Sequence, residues 1–336
     1  MKKNKTIIIA EIGVNHNGSI KLAKKLVDVA KKSCANYVKF QTFKAENLVS
    51  RNAKAVKYQT DNIRKKQTQF NLLKKLELSE IELKKIIHYC KIKKINFMSS
   101  PFDLESLKLL KRLKIFNIKI ASGEINNYIL LKNIAKIAKK IFISSGMSTL
   151  KEVSEALKIL IKNGAKKKNI VLLHCHTDYP TQIKNVNLNA MVSMKKKLNI
   201  SVGYSDHTIG HETAIAAVAL EAEAIEKHIT INRKMNGPDH KASMEPKDFY
   251  NYVKLIRNTE ILLGNEIKKP TTSEIRNKKM VRKSIVAKIN IKKGEKFSEN
   301  NTTCKRPEGG ISPIYWKKVM GKKSKKNFYA DEFISL

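Results

Sequence analysis

The chain has 336 residues, 42% hydrophobic and 29% charged, with 13 Gly and 7 Pro. That is enough apolar material for a large core with a small second one, and it excludes disordered, collagenous and low-complexity classes. The formal net charge of +39 invites a polyanion-binding reading, because a field of that sign attracts polyanions whatever the fold.

The kind of basic residue argues otherwise. Only 8 of the 68 are Arg and 60 are Lys, spread along the chain beside abundant Ile and Asn. Base-edge and bidentate phosphate recognition favour the Arg fork. The charge therefore reads as compositional drift on solvated faces, with no specific nucleic-acid partner and only weak non-specific polyanion contact.

The opening MKKNKTIIIAEIG has the basic flank of a signal peptide, but Glu11 cuts its apolar run after five residues, so it reads as a buried first strand. Short apolar runs then alternate with Lys-bordered helical patterns, the signature of βα units in a parallel sheet. Eight strands are expected, at Thr6–Gly13, Tyr37–Gln41, Asn96–Pro101, Asn117–Ser122, Ile141–Gly146, Ile170–Cys175, Ile200–Asp206 and Ala224–Thr230. Between them fall helices such as Ser19–Lys32, Ser79–Lys93, Leu104–Leu113, Leu150–Lys162 and Glu212–Glu221, and a last one near Pro246–Leu263. A long polar connection, Ala45–Leu73, interrupts the second unit and reads as a loop over one barrel end. Eight units in this length suit a (β/α)8 TIM barrel over residues 1–265. An open doubly wound sheet lacks its GxGxxG turn.

Residues 266–280 read as a linker, and 281–336 as a small β-rich domain with turns at Lys293-Gly294 and Glu308-Gly309-Gly310, too small to carry much core of its own. Cys34, Cys90, Cys175 and Cys304 are widely spaced with no CxxC pair. That spacing suggests reduced thiols, a cytoplasmic setting and no structural zinc. No run of 18 apolar residues marks a membrane span.

Barrel chemistry sits at the C-terminal strand ends, and nearly every predicted end is polar. Glu11, Lys39 with Gln41, Ser100, and Lys119 with Ser122 and Glu124 close the first four strands. Ser144, then His174, His176 and Tyr179, then Ser205, Asp206 and His207, and finally Glu226, Lys227 and His228 close the last four. His207 and His228 terminate neighbouring strands and can share one divalent ion. Two hydrogen-bonded histidines are the plain alternative. His174 lies deeper in an apolar run and reads as a core histidine. Inward Lys39 and Lys119 need an anion: either a phosphorylated, carboxylate-bearing substrate cradled with Ser100, Ser122, Ser144 and Ser205, or a salt bridge to Glu11 or Glu124.

IIIAEIGVNHNGS, YVKFQTFKAENL, SSPFD, IKIASGE, VGYSDHT, IEKHIT and GPDHKAS, with RKSIVAKINIKKGEKFS and KRPEGGISP in the tail, resemble the sialic acid synthase family over essentially the whole chain. The resemblance implies a TIM barrel followed by an antifreeze-like (SAF, β-clip) domain, in a domain-swapped homodimer whose tail closes the partner's site. It implies condensation of phosphoenolpyruvate with an N-acylated mannosamine-type sugar using manganese or magnesium, phosphate leaving by C–O cleavage. His207 and His228 would hold the metal, which would polarise the sugar aldehyde. Lys39, Lys119, Ser100, Ser122, Ser144 and Ser205 would hold phosphoenolpyruvate. Glu11, Glu124 and Asp239 would orient the sugar and handle protons, Gln41 and Tyr179 would line its site, and Arg306 of the partner's tail would bind the N-acyl group. N-acetylmannosamine, giving N-acetylneuraminate, is the acceptor expected first. The alternative is 2,4-diacetamido-2,4,6-trideoxymannose, giving legionaminate. His176 and Glu308-Gly309 depart from the family pattern without removing a named ligand.

Overall fold

In the structure, a computed structural model that describes residues 5–51, 53 and 68–336, the apolar runs of the first unit become eight parallel strands. They are β1 (Ile7–Gly13), β2 (Tyr37–Thr42), β3 (Asn96–Pro101), β4 (Asn117–Ile120), β5 (Lys140–Ser144), β6 (Ile170–Cys175), β7 (Ser201–Asp206) and β8 (Ala224–His228). β1 pairs with both β2 and β8, which closes the barrel and excludes the open sheet. The observed ends of β4, β5 and β8 fall short of the expected ones.

The period of two divides each strand into two faces with different tasks. Ile8, Ala10, Val38, Ile118, Ile141, Leu172, Val202 and Ile225 belong to the large apolar cluster that includes the buried faces of the surrounding helices. On the opposite face, Ile9, Met98, Phe142, Val171, Leu173 and Ala224 form a separate apolar plug. Two residues further along the same faces the chain turns polar: Ile9 leads to Glu11, Met98 to Ser100, Phe142 to Ser144 and Ala224 to Glu226. The interior is thus dry below and charged above, and the switch is written at a spacing of one pleat.

Several helices start where their sequence supplies an N-cap. Ser79 with Glu82 and Thr149 with Glu152 form capping boxes, and the Asp103 side chain accepts from the Ser106 backbone N–H, each occupying an amide that the helix leaves unbonded. Within the long polar connection, 52 and 54–67 lie outside the described residues. The rest of it contributes the short helices Ala45–Leu48 and Gln69–Lys74, whose Ala45, Leu72 and Leu73 join Val14, Phe43 and Leu76 in a small apolar cluster.

The chain divides into two compact units, Met1–Gly264 and Asn265–Leu336. Most of the segment read as a linker is a helix, Thr272–Val281, started by a Thr271/Glu274 capping box and buried on no side; its polar composition hid it. The rest of this unit is built on an antiparallel pair, β9 (Ser284–Ala287) and β10 (Thr302–Lys305). It has a small core of its own, formed by Ile285, Ala287, Ile291, Phe297, Val319, Phe328 and Ile334. The four cysteines are free thiols. Among the described residues no helix is long and apolar enough to cross a membrane.

Gly203 shows how tightly the barrel is closed. A Cβ there would fall 2.4 Å from the Ala224 carbonyl oxygen and 2.7 Å from Leu173 Cδ2, against the plug. Gly203→Ala is expected to destabilise the barrel by about 2–3 kcal/mol through overpacking, read as a lowered denaturant midpoint at unchanged m-value.

Candidate active site

The polar end of the barrel encloses a cavity of about 330 Å³, at the small end for a ligand site. Every site residue selected from the sequence in the first unit lines it. Glu11, Lys39, Gln41, Ser100 and Lys119 enter from β1 to β4, Ser122 and Glu124 from the turn after β4, and Ser144 from β5. Tyr179, Ser205, His207, His228 and Asp239 complete the other side. Arg306 follows β10 in the second unit and is exposed.

Four buried charges occupy the floor. Lys39 Nζ lies 2.9 Å from Glu11 Oε2 and 3.7 Å from Glu226 Oε1, and Lys119 Nζ lies 3.1 Å from that same Glu226 oxygen. Ser205 Oγ also donates to Glu226 Oε1, at 3.0 Å. The salt-bridge reading therefore holds for Lys39 with Glu11, whereas Lys119 pairs with Glu226 and Glu124 accepts from Asn127 Nδ2 at 2.7 Å. Glu226, the hub of the arrangement, was read only as a strand end. Its place two residues before His228, on the same strand face, is the signal that marks it.

The two carboxylates respond to burial differently. Burial raises Glu11, with Lys39 opposing it only in part. Burial pushes Glu226 the same way, but Lys119 and Lys39 together outweigh it and hold the group ionised. Burial disfavours the ammonium of Lys39, which Glu11 and Glu226 more than offset; for Lys119 burial wins and its pKa is lowered. Two ammoniums thus face one firm carboxylate and one that takes up a proton readily, a balance that favours an incoming anion.

His207, the first residue after β7, donates from Nδ1 to the His176 carbonyl at 2.6 Å. A carbonyl can only accept, so Nε2 carries the lone pair of the neutral ring. Burial keeps it neutral, lowering its pKa to about 4. Ser205 Oγ lies 3.4 Å from that Nε2, but Glu226 is the nearer acceptor for its proton. His228 is buried, also pushed well down by burial, and its Nδ1 has no hydrogen-bond partner. The two ring centroids are 5.6 Å apart, and the Tyr179 ring lies against His207 at 4.1 Å, tilted by 32°. Two neutral imidazoles with free lone pairs on a buried cavity wall are a donor set suited to a divalent cation. Among the described residues no group of three or more His, Cys, Asp or Glu is placed to hold a metal.

The remaining selected residues divide. Asp239 is buried, and burial raises its pKa to about 6. Glu124 is also raised by burial. Ser122 Oγ accepts from the Gly146 amide at 3.1 Å. His174 is the core histidine expected, bonded through Nε2 to the Val186 carbonyl at 2.8 Å.

Behind the two histidines lies a network that sequence reasoning missed. Asp206 Oδ2 accepts from Tyr252 OH at 2.7 Å and meets Lys227 Nζ at 3.0 Å, while Oδ1 accepts from the Thr208 amide and hydroxyl at 2.9 and 2.7 Å. Lys227 also donates to the Thr208 carbonyl. Residues flanking His207 and preceding His228 are thereby tied to the helix Pro246–Leu262.

The NeuB family model matches residues 26–268 and the SAF domain model residues 282–336. The chain is 50% identical over 330 residues to N,N'-diacetyllegionaminic acid synthase of Campylobacter jejuni, covering 98% of this chain and 99% of that one. It is 40% identical to the enzyme of the same name from Legionella pneumophila, over 96% of this chain and 91% of that one. A crystal structure of N-acetylneuraminic acid synthetase from Leptospira borgpetersenii superposes with a TM-score of 0.71 at 32% identity, covering 82% of this chain and 90% of that one.

The network behind the histidines has a measurable consequence. Lys227→Met leaves the buried Asp206 carboxylate without its counter-charge and is expected to cost about 3–5 kcal/mol of stability. The double variant with Asp206→Asn should cost clearly less than the two single variants summed, in chemical denaturation.

Proposed function

The chain belongs to the NeuB family and is an enzyme of the nonulosonate-synthase class; from that premise we propose that it condenses phosphoenolpyruvate with open-chain 2,4-diacetamido-2,4,6-trideoxymannose, giving N,N'-diacetyllegionaminate and phosphate. Two relatives that match nearly the whole chain carry the legionaminic acid synthase name, which moves the weight from N-acetylmannosamine, the acceptor expected first. The observation that carries the condensation is the pair of buried ammoniums, Lys39 and Lys119, beside two neutral imidazoles in one cavity.

In this reading Lys39 and Lys119, with the hydroxyls of Ser100, Ser122, Ser144 and Ser205, bind the phosphate and carboxylate of phosphoenolpyruvate. As the anion arrives, the lysines exchange part of their pairing to Glu11 and Glu226 for it. The C2–C3 π pair of phosphoenolpyruvate forms the new bond to the aldehyde carbon, whose oxygen takes a proton. Water adds to C2 and gives up a proton, and the C2–O bond breaks to release phosphate and leave the ketone. Glu11, Glu124 and Asp239 orient the sugar hydroxyls and carry these protons, with Gln41 and Tyr179 lining the sugar site. His207 and His228 would hold manganese or magnesium, which supplies Lewis-acid polarisation of the aldehyde when bound.

Arg306 completes the site from a second copy of the chain, in a domain-swapped homodimer, by binding an N-acyl group. The widely spaced, free cysteines accord with a cytoplasmic setting.

The test is phosphate release from phosphoenolpyruvate with manganese, in parallel with the diacetamido sugar, with N-acetylmannosamine and with no sugar, the product being identified by mass. Release that depends on the diacetamido sugar, with the matching nonulosonate formed, is expected. Chelation should abolish turnover and added manganese restore it. For the swapped dimer, Lys39→Ala and Arg306→Ala should each be inactive, yet co-expressed they should regain about a quarter of wild-type activity, because half of the dimers then hold one intact site.

A further inference from the structure

The cavity is made of two materials. Its floor is the charged and hydroxyl-bearing strand ends, and one wall is hydrocarbon: Leu48, Val49, Leu72, Leu73, Leu76 and Phe102. These six belong to one packed cluster, in which Phe43 meets Phe102 edge-on at 6.3 Å. The wall is braced through polar contacts of the same segments. Glu77 accepts from the Ala45 amide at 2.8 Å and from Lys44 Nζ at 3.3 Å, and Lys74 pairs with Glu46 at 2.7 Å. Gln69 is the polar side chain that the helix Gln69–Lys74 adds to the cavity lining.

We propose that this wall selects the acceptor sugar, and that Leu48, Val49 and Phe102 are its specificity-determining residues. The inference rests on the condensation proposed above and concerns the end of the sugar that does not react. The aldehyde carbon has to meet phosphoenolpyruvate at the lysine-lined floor, so the far carbons of the open chain extend away from it. In the 2,4-diacetamido-6-deoxy sugar those carbons carry an acetamido methyl and a C6 methyl, which hydrocarbon accepts. In N-acetylmannosamine they carry hydroxyls at C4 and C6. A hydroxyl turned against Leu48, Val49 or Phe102 loses its water and gains no partner, a discrimination of about tenfold or more for each. Gln69, a half-buried carboxamide, supplies the donor and acceptor that the second acetamido group requires.

The experiment compares kcat/KM for the two sugars at saturating phosphoenolpyruvate in the wild type, in Leu48→Asn, in Phe102→Tyr and in Leu48→Met. The wild type should prefer the diacetamido sugar by about 100-fold. Leu48→Asn and Phe102→Tyr should each cut that preference about tenfold or more, chiefly by weakening use of the deoxy sugar, with the KM for phosphoenolpyruvate held. Leu48→Met, which keeps the hydrocarbon, should retain the preference. Phe102→Tyr adds a single oxygen to the same ring, so the comparison stands even where Leu48→Asn fails to fold. A preference unchanged in the folded polar variants overturns the wall as selector while leaving the condensation intact. A wild type that turns over neither sugar with phosphoenolpyruvate overturns the condensation and the wall with it.

Discussion

Four charges that water cannot reach set the terms for this barrel. Glu11, Lys39, Lys119 and Glu226 are each buried to within 4% of full exclusion, and burying any one of them alone would cost several kcal/mol. They are tolerable only as a compensated chain, with Lys39 spanning both carboxylates and Glu226 shared by both ammoniums. That chain requires β1, β2, β4 and β8 to deliver their side chains at one height, which a closed barrel in fixed register does. The apolar plug of Ile9, Met98, Phe142, Val171, Leu173 and Ala224 supports it from below. The same compensation that makes the charges tolerable leaves them exchangeable, because a bound anion can take over pairings that the glutamates now hold.

Strand ends and their facing were legible because both follow from local pattern. A period of two places Lys39 with Gln41, and Lys119 beside the hydroxyl-bearing turn, without any knowledge of what lies across the barrel. Partnership was not legible. Glu226 pairs with Lys119 across 107 residues and Tyr252 with Asp206 across 46, and no spacing rule connects them. The helix Thr272–Val281 escaped notice for the opposite reason. It has no apolar face to give it a period, and only its Thr271/Glu274 box marks its start.

The histidine pair shows how a main-chain group can carry a role that a side-chain reading assigns elsewhere. The departure at His176 that goes with the resemblance lies in its side chain, yet what it gives His207 is its carbonyl. Any residue at that position would supply the same acceptor and leave the same lone pair on Nε2. The departure is therefore neutral for His207. On the far side, Asp206 and Lys227 hold the two strand ends against the helix Pro246–Leu262, so each histidine is fixed by a neighbour in sequence that faces outward while the ring faces in.

The high lysine content makes the same point about position. Among the described residues Lys39, Lys119 and Lys227 are the buried lysines, and all three sit on strands with a carboxylate within 3.1 Å. The rest of the +39 is a surface property. In the proposed reading its field acts on the anionic substrate before binding, by raising the local concentration of the anion, whereas recognition would fall to a floor whose own charges nearly cancel. Composition therefore bears on how fast such a substrate arrives, and the alternation of four to seven residues along each strand decides what it meets.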